Sequence, residues 1–450
     1  MKTTISNWIA AGVLLACTIF LGFVPEQSDF LEIVLAYLPF FAAYAYVIRM
    51  GEKASLKFWL GIGLLARLIL LFSFPRFSDD VYRFIWDGRL LINGLNPFDH
   101  LPAYYLEAGH QVPGLEPALY EKLNSPEYFT IYPPVAQATF ALACSLFPNS
   151  ISGSAFIMKL FLLLCEAGTI FLLPRILNGF KLPRTRSLIY ALNPLLIVEI
   201  VGNLHYEGAM IFFLVLGLYL LQKERYGWAA VAIALSIAAK LLPLLFLPFF
   251  IRRLGWKRSI RFFAVMGGAL VLLFLPLVNG VFLQNFGNSL DLYFRKFEFN
   301  GSIYYLLRWI GFRIKGYNTI AQLGPWLAFA TFTGISLAAI LDKDQRWRSL
   351  PGRALFAICL YLFFTTTVHP WYVALPVVLC MFTNWRFPLL WSALIILTYV
   401  NYSYPGYFEN LWVVSLEYLL VFGFLIWEIR YKRIQFHLSQ LPLKLFKKQF

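Results

Sequence analysis

Two adjacent carboxylates, Asp79 and Asp80, stand in the stretch "FSDDVYRFIWDGRLLINGLNPFDH", Phe77 to His100. Five charged residues fall within eleven positions there, from Asp79 to Arg89. The stretch follows an apolar segment, Lys57 to Phe74, whose only internal charge is Arg67. A carboxylate anchored at the end of a membrane span loses part of its water. That raises its pKa and suits it to take a proton from a hydroxyl group. Ser78 has the side chain of an N-cap. Val81, Phe84, Ile85 and Ile92 then fall on one helical face, and Asp79, Asp80, Arg83 and Asp87 on the other. Arg83 lies four residues from both Asp79 and Asp87, the spacing of intrahelical ion pairs. Gly94 and Asn96–Pro97 end the pattern. The expectation is a helix on the membrane surface, apolar side down, with its charged side facing a cavity. Read instead as a solvated face with internal ion pairs, the same helix carries no chemistry.

Other polar positions point to the same level. "GNLHYEG" (Gly202 to Gly208) puts His205 and Glu207 at the outer end of a span, Lys240 sits at a bend, and His369 sits at a hairpin tip. Ionisable residues at membrane depth are expensive and mark function by default. One such histidine is more often structural; four positions on one side argue for a shared site. Lys240, Arg295, Lys296 and Arg308 would suit a phosphate or diphosphate. Contact with lipid headgroups explains these cations equally well.

The elements that must position these groups follow from composition. The chain has 450 residues, 60% hydrophobic and 14% charged, with mean hydropathy +0.67. Soluble proteins run nearer about 45–50% apolar and about 25% charged. The net charge of +15 belongs in loops beside anionic lipid, because no segment outside the apolar runs is large enough to read nucleic acid. Cys17, Cys144, Cys165, Cys359 and Cys380 lie in apolar segments without metal or disulfide spacing. The run ending in "LLAC" continues through Val24, too long for a signal core, and reads as a first span.

Spans are expected at 8–24, 30–48, 57–74, 155–177, 187–201, 206–221, 261–279, 323–341, 387–403 and 411–429. Basic clusters at 49–57, 181–186, 223–225, 252–261, 343–353 and from Arg430 are placed in the cytoplasm. Residues 227–251 and 354–383 then become hairpins of half-helices, bent at Lys240–Pro243 and at "HPW" (His369 to Trp371). Residues 133–147 lie at the surface or re-enter. The result is an all-α polytopic membrane protein of about 14 transmembrane segments and a single membrane domain, 1–450. Its outer loops are 75–132 and 280–322, its basic tail is 430–450, and both termini are cytoplasmic. No internal repeat of the transporter kind is visible.

"SDDVYRFIWDGRLLINGLNPF" closely resembles the first outer loop of bacterial polyprenyl-phosphate-mannose-dependent mannosyltransferases of the GT-C superfamily. The resemblance runs over residues 57–400. In order it includes "IYPP" (Ile131 to Pro134), "NPLLIVE" (Asn193 to Glu199), "GNLHYEG", "AAKLLPLLFLP" (Ala238 to Pro248), "FNGSIYYLLR" and "HPWYV" (His369 to Val373). It implies a GT-C bundle in the bacterial inner membrane with its active site on the periplasmic or outer face. A polyprenyl-phosphate-linked hexose, mannose before others, is the implied donor. A glycan or lipid-linked saccharide is the implied acceptor. Transfer goes with inversion. Carried onto this sequence, Asp79 is the general base, and Asp80 orients the acceptor or shares the role. Trp86, Asp87 and Asn96 match motif positions that would shape the sugar pocket, and Arg83 on the same helix is a further substrate-binding candidate. Lys240 would hold the donor phosphate, with Arg295 and Arg308 as further cations. His205, Glu207 and His369 match outer-end positions near the site. No cofactor is implied. Asp79–Asp80 alone is not a metal site, and dependence on a divalent metal is left open. Two spans precede the one leading into the acidic loop, and no soluble outer domain is visible; both depart from the pattern of some members. The competing readings are a polytopic transporter or flippase, and a lipid-linked glycan polymerase or ligase.

Overall fold

The computed structural model describes residues 4–440, apart from the side chains of residues 290, 292–294 and 433–440. Lys2 and the part of the basic tail at 441–450 lie outside the described residues. The chain opens with α1 (Ile5–Phe23) and α2 (Phe30–Met50), and α3 (Leu56–Leu70) returns to the end where the acidic stretch begins. α4 (Asp80–Ile92) carries that stretch, followed by α5 (Pro134–Leu146) and α6 (Ile151–Gly179). A pair of short helices, Arg184–Ala191 and Pro194–Gly202, bends by 53°. Then come α7 (Glu207–Gln222) and α8 (Tyr226–Ala239). The second half holds α9 (Trp256–Phe274), α10 (Phe282–Arg295), α11 (Ile303–Lys315) and α12 (Ile320–Leu341). It ends with α13 (Leu350–Phe364), α14 (Ala374–Cys380), α15 (Phe387–Leu394) and α16 (Leu411–Gln440). Among the described residues the only strand-like pairing is Phe299 with Thr367.

Among the described residues six helices, α1, α2, α6, α9, α12 and α16, are long and apolar enough to cross a membrane, or seven if the bent pair is one span. Their large apolar side chains stay exposed, as at Leu31 and Leu35 of α2 or Phe329 and Phe332 of α12. Such faces cost nothing against lipid tails. The expected count of about 14 is not confirmed. A span needs roughly 20 residues, and several expected spans are cut short. The 206–221 segment forms the 16 residues of α7, and 387–403 splits into α15 and a 3₁₀ stretch, Ile395–Tyr402. The breaks within 227–251 and 354–383 do occur. α8 stops at Lys240, whose backbone is extended, and α13 stops before His369, whose neighbour Pro370 disfavours helix. Residues 133–147 form α5, which packs on α4 and α6.

α4 corrects another expectation. It is not a surface helix with one wet side. Val81 and Arg83 through Leu90 are all buried, because α5 covers one flank and residues 113–132 fold over the other. Asp79 takes the cap position, and the Asp80 amide donates to Ser78 Oγ at 3.3 Å. Phe84 stacks on Phe140 of α5 with ring centroids 4.5 Å apart. Gly88 makes the close approach possible, since a Cβ there would stand 2.6 Å from the Phe140 carbonyl oxygen and 2.7 Å from Cys144 Sγ. Gly88→Ala is therefore expected to cost about 1–3 kcal/mol by overpacking, seen as a lowered melting midpoint of the detergent-solubilised protein.

Arg67 of α3 is fully buried and ties three elements together. Its guanidinium donates to Glu166 of α6 at 2.6 Å, to the Ala191 carbonyl at 2.6 Å and to Gly63 at 2.9 Å. A buried charge is tolerated when its donors are satisfied in this way. These contacts hold the end of α3 from which the acidic loop departs.

Candidate active site

A cavity of about 440 Å³ opens where the acidic loop, the break after α8, the 297–299 segment and the 369–372 turn converge. Asp79, Asp80, Arg83, Lys240 and His369 all line it. The approach to Asp79 is held from behind. Asn203 Oδ1 accepts from the Arg76 and Phe77 amides at 3.2 and 3.1 Å, and Gln27 donates to the Phe77 carbonyl at 3.0 Å. Among the described residues no donor reaches the Asp79 carboxylate. Burial by the cavity walls first, then the negative charges of Asp80 and Glu26, push its pKa above the ordinary value. Asp80 is different: its Oδ1 accepts from Asn124 at 2.8 Å. Asp79, which accepts no hydrogen bond among the described residues and whose pKa is raised, meets the requirements of a general base.

Lys240 enters at the point where α8 ends. Its ammonium lies 3.1 Å from Glu207, a fully buried carboxylate at the start of α7. It also stands over the Tyr132 and Tyr372 rings at 5.7 and 5.8 Å, within reach of a cation–π attraction. The side chain is 18% exposed, so one positive charge is fixed at the cavity wall with a side open for an anion.

Both histidines stack on Trp371. The His205 and Trp371 ring centroids are 3.6 Å apart, and His369 and Trp371 are 4.6 Å apart and nearly parallel. His205 Nδ1 donates to the Glu199 carbonyl at 2.9 Å and lies 3.2 Å from the Glu199 carboxylate, which leaves Nε2 on the other side of the ring. Among the described residues that Nε2, like His369 Nδ1, is buried without a partner. Burial pushes the His369 pKa down to about 3, against the opposing pull of Asp80. His369 is therefore neutral near pH 7 and meets a ligand by hydrogen bonding, not by charge. His205 does not line the cavity itself; it backs the tryptophan that does.

The far wall holds residues the sequence reading did not single out. Glu298 lines the cavity and takes hydrogen bonds from Tyr304, Arg308 and Asn318. It is brought there because Val368 donates to the Phe299 carbonyl at 2.8 Å and Phe299 to Thr366 at 3.1 Å. Tyr402 and Tyr407 complete the aromatic lining. Asn203 and Trp371 lay inside "GNLHYEG" and "HPWYV" and were open to detection there. Tyr402 and Tyr407 sit in an aromatic, Pro- and Gly-containing stretch after an apolar run, which was the available signal. Glu298 immediately precedes the quoted "FNGSIYYLLR" stretch, and nothing local marked Gln27.

Several expected site residues stand elsewhere. Asp87 is fully buried, paired with Arg83 at 2.9 Å and with Gln137 of α5 at 2.9 Å. Arg83 also donates to the Ser125 and Tyr128 carbonyls at 3.2 and 2.9 Å. The pair thus clamps the cavity's lip to α4. Trp86 packs against Tyr120 away from the cavity. Asn96 donates to the Leu277 carbonyl at 2.7 Å and ties the end of the acidic loop to the turn after α9. Arg295 is spent on Asp291 at 2.7 Å and Arg308 on Glu298; neither lines the cavity. Among the described residues no three His, Cys, Asp or Glu side chains form a metal-binding cluster.

The cavity thus offers a hydrogen-bond-free carboxylate of raised pKa, a fixed ammonium, a neutral imidazole and an aromatic wall. That set can take a proton from a hydroxyl while stabilising an anion that forms nearby. The sequence profile of the MptA_B family, described as alpha-(1->6)-mannopyranosyltransferase, N-terminal domain, matches residues 13–255. An alpha-(1->6)-mannopyranosyltransferase A of Corynebacterium glutamicum is 26% identical over 182 residues, 40% of this chain and 35% of that protein. Its counterpart of the same name in Mycobacterium tuberculosis is 26% identical over 196 residues, 43% and 36% of the two chains. The matched region spans about a third of these relatives' own length.

Proposed function

Because the chain belongs to the MptA_B family of alpha-(1->6)-mannopyranosyltransferases, whose profile covers residues 13–255, we propose that it transfers mannose to a saccharide acceptor from a polyprenyl-phosphate-linked donor. The observation that carries this reading is that Asp79, free of hydrogen-bond donors, and Lys240 line one cavity at a membrane-protein surface. An acceptor hydroxyl attacks the anomeric carbon. Its proton passes to the Asp79 carboxylate as the oxygen–carbon bond forms. The bond between the anomeric carbon and the phosphate oxygen breaks, and polyprenyl phosphate leaves with the electron pair. Lys240 stabilises the charge that develops on that oxygen. Asp80, held by Asn124, orients the acceptor. The neutral His369 and the aromatic wall bind the sugars. A lipid-borne donor accounts for a catalytic cavity beside apolar helices and for a chain without a nucleotide-binding fingerprint.

A direct displacement inverts the anomeric centre. An α-linked product of the kind named for the relatives then requires a β-linked donor. Vesicles containing the purified protein, given polyprenyl phosphate carrying radiolabelled β-linked mannose and a lipid-saccharide extract, are expected to move label into saccharide. The α-linked donor is expected to be inert. No transfer from mannose, glucose or aminosugar donors would overturn the reading in favour of a transporter, and equal use of both anomers would overturn the displacement.

A further inference from the structure

A second cavity, of about 260 Å³, lies at the opposite face of the membrane domain. Its position follows from α2. Gln27, just before that helix, lines the active-site cavity, whereas Val47, Ile48, Gly51 and Glu52, at its far end, line the second. The 21 residues of α2 separate the two by about 30 Å. The wall is built in two parts. Val47, Ile48, Leu188 and Ile189 make it apolar, and Arg186 and Arg386 converge on it as cations.

The two guanidinium groups share one acceptor. Arg186 Nη1 donates to the Thr383 carbonyl at 2.9 Å, and Arg386 Nη1 donates to the same oxygen at 3.3 Å. Arg186 further donates to Met381 and Asn384, and Arg386 to Cys380 and Trp385. Every partner is neutral. Among the described residues neither arginine forms an ion pair. Glu428 accepts the backbone amides of Arg386 and Phe387 and pairs with Lys432 at 3.8 Å. Glu52 stands exposed at the rim. Arg186 Nε and Arg386 Nε and Nη2 therefore keep donors with no protein acceptor among the described residues. Two like charges held against one carbonyl repel, and an anion between them would relieve that repulsion and use the free donors.

We infer that this cavity is a binding site for a phosphate anion, carried by a phospholipid headgroup or supplied as soluble phosphate. The apolar wall beside the arginines suits the first carbon atoms of a lipid, and basic pockets between spanning helices are a recognised setting for anionic headgroups. The site stands apart from the proposed transfer reaction and holds whether or not that reading is right.

The test uses the full chain, purified in mild detergent and examined by native mass spectrometry and thermal melting. The probes are phosphatidylglycerol, diacylglycerol as a phosphate-free lipid, and inorganic phosphate. The variants are Arg386→Gln and Ile48→Trp; the second fills the cavity and leaves both guanidinium groups intact. Phosphatidylglycerol is expected to stay bound and raise the melting midpoint. Loss of charge-assisted hydrogen bonds should weaken it about tenfold or more in Arg386→Gln, and Ile48→Trp should weaken it by steric exclusion. Stabilisation by inorganic phosphate without retained lipid, lost in both variants, supports the site with soluble phosphate as its source. Diacylglycerol binding as well as phosphatidylglycerol, no binding of either phosphate probe, or binding unchanged in both variants would overturn the proposal.

Discussion

An Asp79→Asn enzyme is expected to keep its fold and donor binding while kcat falls by about 10²–10⁴, the usual contribution of a general base. The amide has nearly the same shape but cannot accept the hydroxyl proton. Misfolding does not compete as an explanation. Burial, Asp80 and Glu26 raise the Asp79 pKa in the folded chain, so the fold binds that proton more tightly than the unfolded chain does. Stability from this group is present at low pH and is lost as pH rises through the raised value. A neutral Asn removes that loss. The melting midpoint should therefore stay level or rise while turnover collapses. In the wild type, kcat/KM should fall as pH drops through the Asp79 pKa, above the ordinary 3.8, since the base must be ionised. Asp80→Asn should lose less, because that carboxylate already accepts from Asn124. Near-normal turnover of Asp79→Asn with a damaged Asp80→Asn would exchange the two roles.

Lys240→Met joins two effects that can be separated. Removing a cation from beside a developing anion is expected to lower kcat by about 10²–10³. The same change leaves Glu207, 0% exposed, without its partner, and breaking a buried pair in this way costs about 3–5 kcal/mol. The double variant Lys240→Met/Glu207→Gln removes the stranded charge as well. It should regain most of the stability and none of the turnover. Kinetics with the donor should show the loss in kcat and donor KM together, and melting curves should show the rescue. Turnover recovered along with stability would make Lys240 a structural partner of Glu207 and send the search for the phosphate-binding cation to Arg83, the other cation on the cavity wall.

Much of this architecture was legible residue by residue. Sustained apolar runs marked the long helices, since a bilayer spans a fixed length and the signal needs no distant partner. Lys240 followed by Pro243, and His369 followed by Pro370, marked the breaks, because a proline and its preceding residue resist helix locally. Adjacent carboxylates after an apolar segment marked the loop that lines the cavity. The number of crossings expected from hydropathy is not confirmed. Short helices such as α5, α7 and α8 read as apolar, and their lengths are set by neighbours that bury polar ends.

By itself the sequence determined a helical membrane protein with an acidic loop, because composition, hydropathy and short motifs are properties of contiguous residues. Which charges reach the cavity was decided only by the tertiary structure. Arg295 and Arg308 look as available as Lys240 along the chain, yet Asp291 and Glu298 take them up. Asp87 looks as catalytic as Asp79, yet Arg83 and Gln137 enclose it. Glu298 reaches the site through its pairing with residues 366–368, and Asn203 sets the path into Asp79 from more than a hundred residues away. A charge is free or spent according to the partner that packing places within about 3 Å of it, and no local pattern carries that information.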